Sequence, residues 1–333
     1  MRGLKVAALF LVVALLLVWG CERKTTETIY ASNQSGDCFT CHSDQEFALN
    51  EARTSYDLSL HAAGDTYVRS GVPCANCHTN EGFINHLETG TSVEVEKPSH
   101  IACFTCHAPH TNGDLRLRTK APVTLERGGA TFDMGDGNLC ANCHQARAPE
   151  PDILTDSVTI TSSRWGPHHG PQSSVLSGNG AYLLTGITSY AKNGHATAIS
   201  NGCPKCHMAS VVDGNAGEHS FNMTYTLHGA DEIMMTGCTC HPSMTAAHVD
   251  TVQTEIIAKI DSLHTLLVDA GLLNGSDLVN VPGGGSLTIS ADQAKVLYNY
   301  FMLEADRSEG IHNLDYYNAV LDAAISYMNP PTL

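Results

Sequence analysis

"CANCHTNEGF", residues 74–83, places two cysteines with two residues between them and a histidine directly after the second. The same arrangement returns along the chain. The pairs are Cys38/Cys41, Cys74/Cys77, Cys103/Cys106, Cys140/Cys143, Cys203/Cys206 and Cys238/Cys240, followed at once by His42, His78, His107, His144, His207 and His241. The first five read C-x-x-C-H. The last, Cys238-Thr239-Cys240-His241 within "TGCTCHP", is one residue short between its thiols. Of the 13 cysteines, Cys21 alone stands outside a pair.

Two thiols at this spacing can each form a thioether to one vinyl group of a haem. The following histidine is then delivered beneath the iron as proximal ligand. A zinc site would need four ligands per ion and would not explain a histidine after every pair. Vicinal disulfides, the other bland reading in an exported chain, leave the histidines equally unexplained. The pattern therefore implies covalently attached haem c. The shortened sixth motif keeps its terminal Cys-His and falls at the interval expected of one more site. It is expected to hold a sixth haem, through Cys240 alone or through a strained pair; the alternative is a degenerate site without cofactor.

The sixth coordination position of each iron separates electron transfer from substrate chemistry. Twelve of the 18 histidines lie outside the motifs, which is enough to place an imidazole on both faces of six irons. His61 ("LSLHAAG"), His110 ("CHAPH"), His195 ("NGHAT"), His219 ("GEHSFNM") and His312 ("EGIHN") are well placed. One of His168 and His169 ("WGPHHGPQ") joins them, the other serving as spacer or as a hydrogen-bond donor behind the ligand. Met134, Met208 and Met223 are outlying candidates.

A chain of 333 residues with aromatic residues at 6% is thin in the usual core-formers. Flat apolar haem surfaces, stacked closely, are expected to replace Leu and Phe as the packing nucleus. The net charge of −16 argues against nucleic-acid binding, which begins with clustered Lys and Arg.

Residues 1–20 read as a signal peptide: Arg2 and Lys5, then "VAALFLVVALLLVWG". Cys21 follows a small residue at the end of that run, as at a bacterial lipoprotein cleavage site, so it is expected to become a lipidated N-terminus and anchor the protein to a membrane. An ordinary secretion signal or an uncleaved anchor are the alternatives. Residues 21–35 then form a flexible tether, 36–150 a four-haem region, and 151–244 a region with His-rich ligand segments and haems five and six. Residues 245–333 are a C-terminal helical segment. There Val249, Val252, Ile256, Ile260, Leu263 and Leu267 recur at helical spacing. Ser290 and Gln293 form a capping box before "AKVLYNYFMLEADR". "LDYYNAVLDAAISYM" follows Asn313 and ends at Asn-Pro-Pro. These helices are expected to pack around the last haems. The fold class is mainly α with extensive coil.

"WGPHHGPQ", "GCPKCHMA", "GEHSFNM" and "DRSEGIHN", with "CANCHTNEGF", "ACFTCHAPH" and "NLCANCHQAR" before them, resemble the exported multihaem c-type cytochromes of metal-reducing bacteria. That group includes members that polymerise into extracellular filaments. The resemblance runs over most of residues 36–328. It implies a multihaem cytochrome fold organised around stacked haems and electron transfer through closely spaced bis-histidine haems. It also implies His110, His169, His195, His219 and His312 as distal ligands. Other redox proteins, and self-association into filaments, are the implied partners. An outer-membrane or cell-surface lipoprotein, or an extracellular protein, is the implied location.

The leading expectation is an electron conduit rather than an enzyme. The rival is a multihaem reductase of a small nitrogen or sulfur compound at one open-coordination haem. Such an enzyme needs a basic pocket for its anion, and 18 Lys and Arg in the whole chain make that pocket harder to build. The sixth motif is where an open iron would be sought. Intact mass of the mature protein should report six haems, and Cys240→Ala should report five; five in both would mark the short motif as empty.

Overall fold

The computed structural model describes residues 47–330 apart from 113, 155 and 211–214. The expectations for residues 1–20, for Cys21 and its tether, and for Cys38, Cys41 and His42 lie outside the described residues. The described ones belong to one of two compact units, His42–Leu333.

Helix and coil dominate. In chain order the helices are α1 (Phe47–Tyr56), α2 (Leu60–Ala63), α3 (Ala75–His78), α4 (Asn80–Thr89), α5 (Cys103–Cys106), α6 (Pro109–Asn112) and α7 (Gly137–Ala141). They continue with α8 (Gln172–Leu176), α9 (His195–Ala198), α10 (Cys203–His207), α11 (Ala246–Asp269), α12 (Ala291–Asp306) and α13 (Leu314–Met328). Strands are few and short. The described ones form three two-stranded antiparallel sheets, of which Ser157–Ile160 on Leu287–Ser290 ties the middle of the chain to its C-terminal part.

The three long helices form for local reasons. Thr245 caps α11, its hydroxyl accepting from His248 N. Val249, Ile256, Leu263 and Leu267 make up the buried stripe of that helix. Ser290 and Gln293 cap α12 reciprocally at 3.1 and 3.2 Å, and the Asn313 side chain accepts from Tyr316 N at the start of α13. The three helices pack on one another and on residues 146–190 in an apolar core, with Ile160, Val175, Leu267, Leu297, Tyr298, Met302, Tyr316, Tyr317 and Leu321 at its centre.

Tyrosine can take this role because each phenol finds an acceptor or donor. Tyr298 Oη donates to Arg147 O at 2.6 Å, Tyr316 Oη accepts from Ala181 N at 2.9 Å, and Tyr317 Oη donates to Leu303 O at 2.9 Å. Asn299, fully buried, accepts from Tyr182 N and donates to Tyr182 O. The C-terminal helices thus build a nucleus of their own. Near the fourth and fifth motifs the apolar cluster is small: Leu125, Phe132, Met134, Ala141 and Leu176.

Leu321, fully buried between these helices, tests that division. Leu321→Ala should cost about 2–5 kcal/mol in denaturant unfolding of the holoprotein while leaving its haem count unchanged.

Candidate functional site: facing histidines beside paired thiols

Four motifs within the described residues lie on or at the ends of one-turn helices, α3, α5, α7 and α10, with Cys143 and His144 in the turn that follows α7. One helical turn brings positions i and i+3 to the same face, so the thiols of each C-x-x-C project together. The residues of the opening stretch fix one such turn. Thr79 is buried; its hydroxyl donates to Ala75 O at 2.9 Å and accepts from Gly82 N at 3.0 Å. It thereby caps α4 and holds it against α3. A Cβ on Gly82 would stand 2.3 Å from Ala75 O, so only glycine permits this approach.

The sixth motif is different. Positions i and i+2 would lie about 200° apart around a helix, and Cys238-Thr239-Cys240 forms no helix. It folds as a tight turn in which His241 N donates to Cys238 O at 3.0 Å. Gly237 lets this turn abut the fifth motif, since a Cβ there would be 2.8 Å from Cys206 Cα. Cys240 and His241 are exposed.

None of the ten described motif cysteines forms a disulfide. Thiols of different motifs are neighbours. The Cys77 and Cys143 thiols interact, as do those of Cys140 and Cys203. Cys106 feels Cys140, and Cys206 feels Cys238 and Cys240. The Cys143 thiol beside it, followed by the Arg147 guanidinium 3.4 Å from Cys77 Sγ, holds the Cys77 thiol below its ordinary value. Burial, with Cys140 second, pushes Cys106 up to about 12.

Every described motif histidine faces a second imidazole from a distant part of the chain. The ring centroids of His78 and His168 are 6.0 Å apart. His107 and His219 stand at 6.3 Å, His144 and His61 at 6.0 Å. His207 and His312 stand at 6.2 Å, and His241 and His195, at the shortened motif, at 5.9 Å. Two metal–imidazole bonds of about 2 Å, plus the distance of about 1 Å from each ring centre to its nitrogen, sum to about 6 Å. The gap fits one iron between the rings.

Protein acceptors set the tautomers. His207 Nδ1 donates to Phe221 O at 2.9 Å, and His195 Nδ1 to Ile311 O at 3.0 Å. A carbonyl can only accept, so the proton sits on Nδ1 and the lone pair on Nε2. Gln172 donates its amide to Ala305 O and Asp306 O, which turns its Oε1 toward His144 Nδ1 at 3.1 Å. His312 Nδ1 donates to the buried Asp306 carboxylate at 2.8 Å. Two of the distal candidates are also kept neutral by burial. Burial, then the facing His144, lowers His61 to about 4. Burial, then Arg147, His169 and His78, lowers His168 to about 4. Neutral imidazole is the form that binds metal.

Of the distal residues expected from sequence, His61, His195, His219 and His312 each face a motif histidine. His169 does not; it lies 5.3 Å from His168, and His168, at φ +68°, holds the place opposite His78. His110 stands 5.5 Å from the Phe104 ring. Phe221 escaped sequence reasoning. It takes the left-handed conformation, φ +57°, with its ring 5.4 Å from His61 and 6.3 Å from His219 while its carbonyl holds His207. One residue thus touches ligand candidates of three motifs. The flanking glycine and histidine of "GEHSFNM" were its only signal.

No family model matches the chain. Over 164 residues, 42% of this chain and 21% of the relative, it is 25% identical to the C-type polyheme cytochrome OmcB of Geobacter sulfurreducens, in two strains. Among solved structures it is similar to the outer cell wall cytochrome OcwA, with a TM-score of 0.53 and 20% identity, covering 83% of this chain and 50% of that one. The undecaheme cytochrome from the S-layer of Carboxydothermus ferrireducens gives 0.49 and 18%, covering 84% and 39%. The chain therefore spans about a fifth of the length of the curated relatives it matches.

The paired thiols with their following histidines and the facing imidazoles thus stand in a chain that is similar over part of its sequence to a c-type polyheme cytochrome and in fold to the cytochrome OcwA.

Proposed function

We propose that this chain is an electron conduit of the cell envelope carrying six haems c, each held between two histidines, and that it is not a reductase. Bound haem supplies the one-electron carrier. The observation that carries the reading is the set of five facing imidazole pairs: at every described motif a second ring stands about 6 Å from the motif histidine, which supports a sixth position filled by protein rather than kept open for substrate. The shortened motif, where an open iron was most to be expected, has His195 opposite His241 at the same separation as the rest.

The residues do three things. The cysteine pairs tether, the motif histidines and their partners coordinate, and the acceptors behind Nδ1 hold each ring in one tautomer and orientation. We assign His61, His168, His195, His219 and His312 as distal ligands of the motifs they face. The neighbouring thiols support an order of attachment sites in which the fourth motif meets the second, third and fifth, and the fifth meets the sixth. The exposed sixth motif is then a point of exchange with a partner redox protein or an external acceptor. Export and lipidation at Cys21 suit such a role. Among the described residues no helix is long and apolar enough to cross a membrane.

Low-temperature EPR of the oxidised protein, with haem quantified alongside, should show low-spin signals accounting for every iron. His168→Ala should convert one haem to high spin while His169→Ala leaves the spectrum unchanged. A stoichiometric high-spin signal in the wild type that shifts on adding nitrite or hydroxylamine would reassign the protein as an enzyme. Separately, Cys21→Ser should move the protein from the membrane to the soluble fraction, and unchanged fractionation would refute the anchor.

A further inference from the structure

The ring pairs differ in what stands behind them. His144 donates to an amide oxygen, and His195 and His207 donate to backbone carbonyls. His107 Nδ1 is buried with no hydrogen-bond partner among the described residues. His312 is the pair member hydrogen-bonded to a carboxylate, Asp306, at 2.8 Å to Oδ1 and 3.0 Å to Oδ2.

Asp306 is the last residue of α12, and its side chain is fully buried. Three groups converge on it: His312 Nδ1, Ser308 Oγ at 2.5 Å and Tyr317 Oη at 2.9 Å, whose one proton is shared between Asp306 Oδ2 and Leu303 O. The imidazole Nδ1–H can only donate, which suits the acceptor-only carboxylate. Tyr317 in turn is anchored in the helical core, so the carboxylate cannot swing away from the imidazole.

We propose that Asp306 is a potential-setting residue that, through His312, makes the haem attached at Cys203 and Cys206 the lowest in potential of those at the described motifs. The inference rests on His207 and His312 being the two axial ligands. A carboxylate drawing on the Nδ1 proton increases the electron donation of Nε2. The buried negative charge acts in the same sense at short range in a medium of low dielectric. Both favour the ferric over the ferrous state and so lower the potential. The neighbouring fourth and sixth motifs have neutral acceptors, so an electron passing between them meets an uphill step at the fifth. Gln172 couples the two environments, its amide on Asp306 O and its oxygen on His144.

The test is spectroelectrochemical titration of the holoprotein with haem content and EPR recorded for each variant. Asp306→Asn keeps the volume and removes the charge. It should raise the potential of one haem by the equivalent of about a tenfold change in its reduction equilibrium, about 59 mV for one electron. Tyr317→Phe leaves the carboxylate with one donor fewer, concentrates its charge on His312, and should shift the same haem downward. A purely structural role would not move the two variants in opposite directions, and Tyr317→Phe keeps the proposal testable if Asp306→Asn fails to fold. Titrations that superimpose on the wild type, with all haems retained and low-spin, would overturn it. His312→Ala separates the two levels. If that variant stays wholly low-spin, the assignment of His312 as ligand has failed; if one haem turns high-spin while the Asp306 and Tyr317 variants leave potentials unmoved, the role of Asp306 alone has failed.

Discussion

An imidazole whose Nδ1–H is held by the protein and whose ring stands about 6 Å from a second imidazole is the interaction on which the architecture depends. It sets the spacing of the elements around each motif, because two rings at that distance leave room for one metal and little else. It also selects the acceptors around them: the carbonyls of Phe221 and Ile311, the oxygen of Gln172 and the carboxylate of Asp306 all lie where a ring needs a partner. Segments with almost no regular structure, such as "GEHSFNM" and "WGPHHGPQ", are positioned by that requirement rather than by helix or sheet ladders.

The molecule divides its packing between two kinds of nucleus. Residues 146–190 and the helices α11, α12 and α13 bury tyrosine and aliphatic side chains in an ordinary protein core. The motif-bearing part has only a small apolar cluster of its own. The loop from Asp306 to Asn313 joins the two, since Tyr317 and Asn313 are seated in the core while His312 faces His207. The rigid half thereby serves as the mounting for a ligand of the other half.

The attachment chemistry was legible in the sequence because thiol spacing and the adjacent histidine are local. The C-terminal helices were legible for the same reason: the Ser290/Gln293 capping box and the apolar stripe of α11 are short-range signals. The pairing of histidines was not, because each pair joins remote segments. The choice between His168 and His169 depends on a left-handed backbone at His168, and composition says nothing of that. The tyrosine-rich core was also missed. Low aromatic content overall concealed that Tyr298, Tyr316 and Tyr317 are gathered in one place and hydrogen-bonded. Burial of Tyr rather than Phe needs acceptors that only the folded chain supplies.

The facing rings have a consequence for the unfolded chain. The members of each pair lie between roughly 50 and 110 residues apart in sequence, so a metal joining them closes a loop of that length. In the chain-entropy picture a cross-link over about 100 residues removes on the order of 5 kcal/mol of disorder from the denatured ensemble. Loops such as His61–His144, His78–His168 and His107–His219 also overlap, so closing one shortens the search for the next. A chain bearing its cofactors is then stapled at many crossings before its helices have packed, whereas a chain lacking them must rely on the C-terminal core alone.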